Sequence, residues 1–427
     1  MIDLKDLRER KEVYKKNNKK KNLSEKSVDE VLKLDERWRS FRLKADKLRH
    51  ERNKISGEIN EAKKNKEEKK AKELIKKAKE IPSKMKKLEV GEKKAFENLS
   101  QELRKIPNLM HPKVPKGNGE KENKIVSVHG TKKKFSFPLK NHVQICEDLD
   151  LADFDASAKT SGTGFYYLKG DLALLNRALI NFTIDFMEKK KYLYIEPPLM
   201  INRKIAGAAG DLDAFEDAIY KIQDEDLYMI PTAEHAILGM MSGKTEKEEN
   251  LPLKFFGYSM SFRKEIGSHG INEKGLWRTH QFNKIEQFVF SKPEESWKIY
   301  GELLKNSEEL MKLLGLSYRV LEMCSGDLGN WKARSHDIEV WRPTIKKYAE
   351  VASLSNCTDY QARDLNIKGV NRKGERYVLH TLNNTALATS RIMIAILENY
   401  QNKDGSVTIP RVLQKYMGKK KIEKRKV

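Results

Sequence analysis

Residues 278–290 read RTHQFNKIEQFVF. In an extended chain, alternation sends Arg278, His280, Phe282, Lys284, Glu286, Phe288 and Phe290 to one side. Thr279, Gln281, Asn283, Ile285, Gln287 and Val289 go to the other. The run Phe288-Val289-Phe290 predicts a strand. Its first face sets a guanidinium, a carboxylate and aromatic rings two and four residues apart. That face is either an exposed surface laced with ion pairs or the floor of a ligand site.

Three further stretches carry the same oddity. YMIPTAEHAIL (228–238) sets Thr232 and Glu234 beside a proline where a strand gives way to a helix. SMSFRKEIGSHG (259–270) puts Arg263 and Glu265 on one face of a strand running into a Gly-rich loop. HTLNNTALATSRIMIAILENYQ (380–401) brings Asn383 and Thr385 to the mouth of a long apolar helix that contains Arg391. Taken singly, each fits a cap, a surface ion pair or a loop. Arg391 is the sharpest, because an arginine on an apolar helix needs a buried anionic partner.

The 427 residues suffice for two or three domains. No apolar run is long enough for a signal peptide or a membrane span, so no membrane partner is expected. Cys146, Cys324 and Cys357 form no CxxC pair, which implies a reducing, cytoplasmic setting. The net charge of +23 favours an anionic partner such as a nucleic acid, with general solubility as the plainer explanation. Residues 1–110 hold 35 Lys and Arg against 21 Asp and Glu, so the first quarter carries most of the excess.

That quarter also has a pattern. Val31, Leu34, Trp38, Phe41, Ala45, Leu48, Arg52, Ile55, Ile59 and Ala62 alternate steps of three and four. Leu74, Ala78, Ile81, Met85, Leu88, Glu92, Ala95 and Leu99 do the same. This is a heptad seam. The polar KKNKEEKK between the two series marks a turn, so the spacing predicts an antiparallel two-helix coiled-coil arm over about 28–104. Each helix would be about 50 Å long, too long to fold into a globular body. Pro82 should kink the second helix. The arm alone could serve dimerisation or spacing; its lysine-studded outer faces, including Arg49 and Lys54, favour RNA phosphates. Domain limits follow: 1–108 for the N-terminal unit, a Pro/Gly-rich linker over 109–124, and a body over 125–427.

In the body, helical stretches (171–190, 294–314, 385–399) alternate with short strand-like runs lacking regular βαβ spacing. An α+β fold on a mainly antiparallel β-sheet flanked by helices is expected. No GxGxxG, P-loop, HExxH or GxSxG occurs, which removes Rossmann, Walker and common hydrolase readings.

Together the polar fragments resemble a known family. FRKE…GLWRTHQFNKIEQF is similar to motif 2 of the class II aminoacyl-tRNA synthetases, and NNTALATSRIMIAILENYQ to motif 3. YIEPPLM (194–200) resembles motif 1, whose proline, Pro198 here, is a dimer-interface residue. TAE, HQFNKIEQ, LSNCTDYQAR and the NNTALA block point within that class to the seryl-tRNA synthetase family. The resemblance implies a class II catalytic domain behind a tRNA-binding arm.

It also implies site roles. Phe282 would stack on adenine with Arg391 on its other side, reaching the γ-phosphate. Arg263 would hold the α-phosphate and Arg278 the outer phosphates. Glu265 would accept from the adenine amino group, and Lys264, Thr279, Val351 and Ala352 would line the ATP site. Glu350 and Ser353 would hold Mg²⁺ through the ATP phosphates. Thr232, Ala233, Glu234, Arg263, Glu286, Asn383 and Thr385 would bind serine. The implied partners are L-serine, ATP, tRNA(Ser) with tRNA(Sec) as a further candidate, and a second copy of the chain in a homodimer. Two departures stand out: GINEKG, with Ile271, Glu273 and Lys274, replaces the family's GRDTRG-type loop, and Ala352 replaces a serine. Rival readings are an amino-acid ligase loading a carrier protein, which lacks a long arm, and an inactive RNA-binding paralogue, whose mark would be loss of Arg263, Glu286 or Arg391.

Overall fold

The structure, a computed structural model, describes residues 1–210, 216–265 and 274–424. The chain divides into two compact units, Met1–Pro107 and Asn108–Val427.

In the first unit two short helices, Leu4–Glu9 and Lys11–Lys20, precede a hairpin of α1 (Lys26–Lys64) and α2 (Glu68–Arg104). Val31, Ala45, Ile55 and Ala62 of α1 and Ile81, Ala95 and Leu99 of α2 are buried, all at heptad-seam positions. The helices run antiparallel. Trp38 meets Phe96 at 5.4 Å between ring centroids, and Arg49 reaches Glu89 at 3.5 Å. Gly91 lets the helices approach there: a Cβ on it would lie 2.6 Å from the Phe41 ring. The turn falls at Asn65–Glu67, with Lys66 in the left-handed region at φ 58°. Pro82 lies inside α2, which continues as one helix on both sides of it. The seam pattern missed Asp35, fully buried and paired with Arg39 at 3.0 Å and Arg8 at 3.5 Å.

The second unit is built on eight strands: β1 (Lys124–His129), β2 (Leu193–Ile195), β3 (Leu253–Phe262), β4 (Gln281–Ser291), β5 (Tyr318–Glu322), β6 (Arg334–Arg342), β7 (Lys347–Thr358) and β8 (His380–Ala388). Their order is β1-β5-β6-β7-β8-β4-β3-β2, antiparallel throughout except for the β2–β3 pair. Helices α3 (Gly170–Lys189), α4 (Ala233–Met240), α5 (Ser296–Leu313) and α6 (Thr389–Asn399) flank the sheet. Residues 108–117, within and just before the stretch read as a linker, lie along this body. The Asn108 side-chain amide donates to the Cys357 carbonyl at 2.7 Å, and the Ser325 N–H to Pro115 at 2.8 Å.

β4 explains the opening stretch. Ile285 and Val289 enter the main core with Leu303 of α5 and Ile392 of α6, and Gln287 between them bonds to Asn306 at 2.8 Å. On the other face Phe288 and Phe290 join a second core with Ile237 of α4. The rest of that face, Phe282, Lys284 and Glu286, opens into a cavity. Alternation holds only from Gln281 onward, because Arg278 and His280 precede the strand. Likewise β3 ends at Phe262, so Arg263 and Glu265 have left the ladder, and Glu265 sits at φ 51°.

One helix expectation is corrected. Residues 380–388 form β8, and α6 begins at Thr389, so Asn383 and Thr385 are strand residues. A central strand buried on both faces, as HTLNNTALA is here, shows no period-two alternation of polar and apolar residues, so periodicity alone does not separate it from the start of the apolar helix that follows.

Below the sheet end lies a buried ion pair: Arg342 Nη2 meets Glu398 Oε1 at 2.6 Å and Nε meets Oε2 at 3.2 Å. Arg342→Met deprives the fully buried Glu398 of its guanidinium, leaving the His142 ring 3.5 Å from Oε1, and is expected to cost about 3 kcal/mol, whereas Arg342→Met with Glu398→Leu should recover most of it. Denaturant unfolding of both variants checks this; equal losses in the two would refute it.

Candidate active site

A cavity of about 540 Å³ opens over the middle of the sheet. Each wall has a local cause. Thr232, extended at ψ 149°, caps the N-terminus of α4 by accepting from the Glu234 N–H at 3.4 Å, which aims Glu234 inward. The helix can approach the sheet because residue 257 is glycine; a Cβ there would lie 2.8 Å from Ile237 and 3.0 Å from Ala233. Gly257 pairs with Glu286 in the ladder, and Glu286 pairs with Thr385 on its other side. Two carboxylates thus come to one end of the cavity.

Both are tied by one oxygen. Glu234 Oε1 accepts from Gln361 at 2.9 Å and Asn383 at 3.1 Å. Glu286 Oε2 accepts from Thr385 at 3.2 Å and pairs with Lys284 at 2.8 Å. Desolvation, followed by the nearby charge of Glu286, pushes the Glu234 carboxyl up to about 7. Burial pulls the Lys284 ammonium below its ordinary value, with Glu286 opposing the shift. His235 is driven by burial down to about 3 and stays neutral.

The other end is rich in guanidinium. Arg263 stands 5.2 Å over the Phe282 ring centroid. Arg391 bonds to the Glu350 carbonyl at 2.9 Å, pairs with its carboxylate at 3.2 Å, and lies 5.1 Å over Trp277. Burial alone would raise Glu350, but Arg391 more than offsets it and the carboxyl is lowered. Glu350, Val351, Ala352 and Ser353 all line the cavity in succession. A regular strand cannot show four consecutive residues to one side. A bulge shifts the phase here: Ile338 pairs with Ala352 but Glu339 with Glu350, leaving Val351 as the extra residue, and Val351 and Ala352 border the cavity while packing in the main core.

The comparisons with known proteins agree in kind with this geometry. Residues 1–110 match the family model described as the seryl-tRNA synthetase N-terminal domain, and residues 219–400 that of the tRNA synthetase class II core domain (G, H, P, S and T). A serine–tRNA ligase of Methanoregula boonei is 45% identical over 98% of this chain and 99% of its own length. The crystal structure of seryl-tRNA synthetase from Pyrococcus horikoshii complexed with ATP covers all of both chains at 41% identity and a TM-score of 0.91. Cytoplasmic serine–tRNA ligase from Naegleria fowleri in complex with AMP gives 32% identity and a TM-score of 0.84, over 97% of this chain and 96% of its own. The chain belongs to the seryl-tRNA synthetase family.

Of the residues that the family resemblance singled out, the cavity gathers Thr232, Glu234, Arg263, Glu265, Thr279, Phe282, Glu286, Glu350 to Ser353, Asn383, Thr385 and Arg391. Four others stand elsewhere in the body. Ala233 is buried at the head of α4. The Lys264 backbone bonds to Ala218 at 2.9 Å while its ammonium sits 5.8 Å from the Tyr220 ring centroid. Arg278 pairs with Glu265 at 3.3 Å. Pro198 is exposed just after β2. Ile271 and Glu273 lie outside the described residues, whereas Lys274 pairs with Glu147 at 2.8 Å and Asp155 at 3.1 Å. Cavity residues that sequence reasoning left without a role include Lys284, His235, Trp277, Trp331 and Lys332. Lys284 had a signal, since it lies between Phe282 and Glu286 on the same strand face.

Glu286→Gln removes a like charge from beside Glu234, so the Glu234 carboxyl should titrate below its present value of about 7. Carboxyl-region infrared titration of the wild type and E286Q checks the direction; an unmoved band would refute the coupling.

Proposed function

We propose that this chain activates L-serine with ATP to seryl-adenylate and then transfers serine to the 3′ end of tRNA(Ser). The carrying observation is a single cavity with paired carboxylates at one end and arginines beside an aromatic ring at the other. It lies in a chain 45% identical over nearly its whole length to a serine–tRNA ligase.

The carboxylates and the arginines divide the work. The uncommitted oxygens of Glu234 and Glu286 receive the substrate ammonium and hydroxyl. Thr385 donates its proton to Glu286, so toward serine it accepts. Phe282 offers its ring to adenine. Arg391 and Arg278, already paired with Glu350 and Glu265, exchange those carboxylates for phosphate oxygens. The serine carboxylate is itself the nucleophile: its oxygen bonds to the α-phosphorus as the bond to pyrophosphate breaks. Arg263 neutralises charge that builds on the α-phosphate. No protein base is needed, and positioning with charge stabilisation supplies the rate.

The donor set fits Mg²⁺. Glu350 and Ser353 line the cavity, and Asp337, opposite Ser353 in the ladder, has Oδ1 buried without a hydrogen-bond partner among the described residues. A hard cation held by Glu350 and Ser353 would offset phosphate charge there. The homodimer is proposed through the β2 edge, where Leu193, Leu199 and Met200 are exposed around Pro198. Among the described residues no helix is long and apolar enough to cross a membrane. Three unpaired, buried cysteines suit the cytoplasm.

Serine should support ATP–pyrophosphate exchange that stops on chelation and returns with Mg²⁺, and alanine should be rejected by on the order of 10⁴. A pocket built for a hydroxyl leaves its own polar groups unpaired when the hydroxyl is missing. Exchange with alanine at a rate close to that with serine would overturn the assignment.

The arm carries the tRNA side of this reading. Lys54 is exposed on α1, whereas Arg49 is held by Asp46 at 2.8 Å and by Glu89. Replacing residues 28–104 by a short linker should leave exchange and dimer mass in light scattering intact while charging collapses. The salt slope of tRNA binding should fall by roughly 0.7–0.9 for each phosphate that the arm no longer neutralises. Normal charging by the armless protein would make the hairpin a spacer.

A further inference from the structure

We propose that Lys284 is a positioning residue of the amino-acid end of the cavity: it locks one oxygen of Glu286 and, in direct contact with the paired carboxylates, offsets part of their charge so that Glu234 can be ionised when a substrate ammonium binds. The inference rests on the reading of this end as the serine site.

The geometry is specific. Lys284 is 7% exposed, a largely buried ammonium on the floor of the cavity, and its ion pair is with Glu286 Oε2 at 2.8 Å. Thr385 donates to the same oxygen at 3.2 Å. Both of these bonds to Glu286 therefore fall on Oε2, and Oε1 is turned over to the substrate. Gln361 and Asn383 do the equivalent for Glu234, occupying Oε1 and leaving Oε2. The two tethers differ in kind. Glu234 is held by neutral amides, Glu286 by a cation.

The charge count gives that difference its use. Glu234 and Glu286 bring two negative charges into one cavity end, and two carboxylates at one site do not both ionise without compensation. Lys284 supplies the positive charge in direct contact with Glu286, and the substrate ammonium adds another. The other charges facing this end are Arg263, following β3, and Lys332 on the loop before β6, while His235 on α4 is neutral. Lys284 lowers the proton affinity of Glu234, and Glu286 raises it. Removing the ammonium therefore raises the Glu234 carboxyl further above about 7. Serine binding needs that carboxylate ionised, so the loss appears as pH falls and is relieved as pH rises. Lys284 is no general base here, since its ammonium is committed to Glu286 and the attacking carboxylate needs none.

The test is ATP–pyrophosphate exchange across pH 6–9 with the full-length chain, comparing wild type, Lys284→Met and Lys284→Arg. Wild-type exchange that is not serine-dependent would defeat the functional reading itself, before any variant is compared. Given that activity, K284M should raise the KM for serine and move the acid limb of kcat/KM for serine up by about one pH unit, a loss of roughly fivefold at pH 7 that approaches about tenfold at pH 6. The KM for ATP should hold, and K284R, which keeps the charge, should return the limb to its wild-type position. A lysine that merely fills the core would lower the melting temperature of K284M without moving the limb, and that result overturns the proposal. Should K284M fail to fold, Lys284→Gln, neutral but polar, takes its place: a raised acid limb supports the role, and a wild-type limb refutes it.

Discussion

Two carboxylates facing one cavity are the constraint around which the catalytic unit is arranged. Glu286 is only 2% exposed, and an isolated buried carboxylate would cost several kcal/mol or take up a proton. It stays because the ladder register brings Thr385 directly beside it and because Lys284 lies two residues away on the same strand face. The second carboxylate arrives by helix, and only because Gly257, opposite Glu286, leaves room for α4 to settle on the sheet. Register, glycine and helix cap are thus one device. Displacing β4 by one residue would turn Glu286 into the apolar core and Ile285 into the cavity.

At the far end the same logic holds with the signs reversed. Arg391 and Arg278 are already paired, with Glu350 and Glu265, so the guanidinium groups are oriented and partly desolvated in advance of the phosphate contacts proposed for them. What a ligand then supplies is exchange of partners, which demands less reorganisation than drawing a solvated arginine inward. Trp277 anchors this arrangement from below. Its ring lies 5.1 Å from the Arg391 guanidinium and 4.7 Å from that of Arg342, which is itself held by Glu398.

Much of this was legible in the chain, and the misses have physical causes. The heptad seam marked the hairpin because long helices packing on one partner repeat their contacts every seven residues. It passed over Asp35, since burial there is decided by Arg8 from an earlier helix, outside the period. The face Phe282–Lys284–Glu286 followed from alternation alone, but Arg278 was placed with it only by extending the strand past its true start. Glu350 to Ser353 line the cavity through a bulge, and a bulge leaves no mark in a period-two pattern. Their assignment came from resemblance. Asn383 and Thr385 were found as residues but lost as elements, because β8 is buried on both faces.

The bulges also show why a family motif is a stronger signal than periodicity in such a site. A second one, between Thr385 and Leu387 in β8, falls just after the residue that bonds Glu286. Each inserts one residue into a buried strand, which interrupts the hydrogen-bond ladder locally. The gain is one of direction. In β7 the extra residue changes the phase between Glu350, which borders the cavity, and Ala352, which also packs in the core; in β8 it does so between Thr385, which looks into the cavity, and Leu387, which packs in the core. Regular structure supplies the rigid frame, and the site is made where that regularity is broken by one residue.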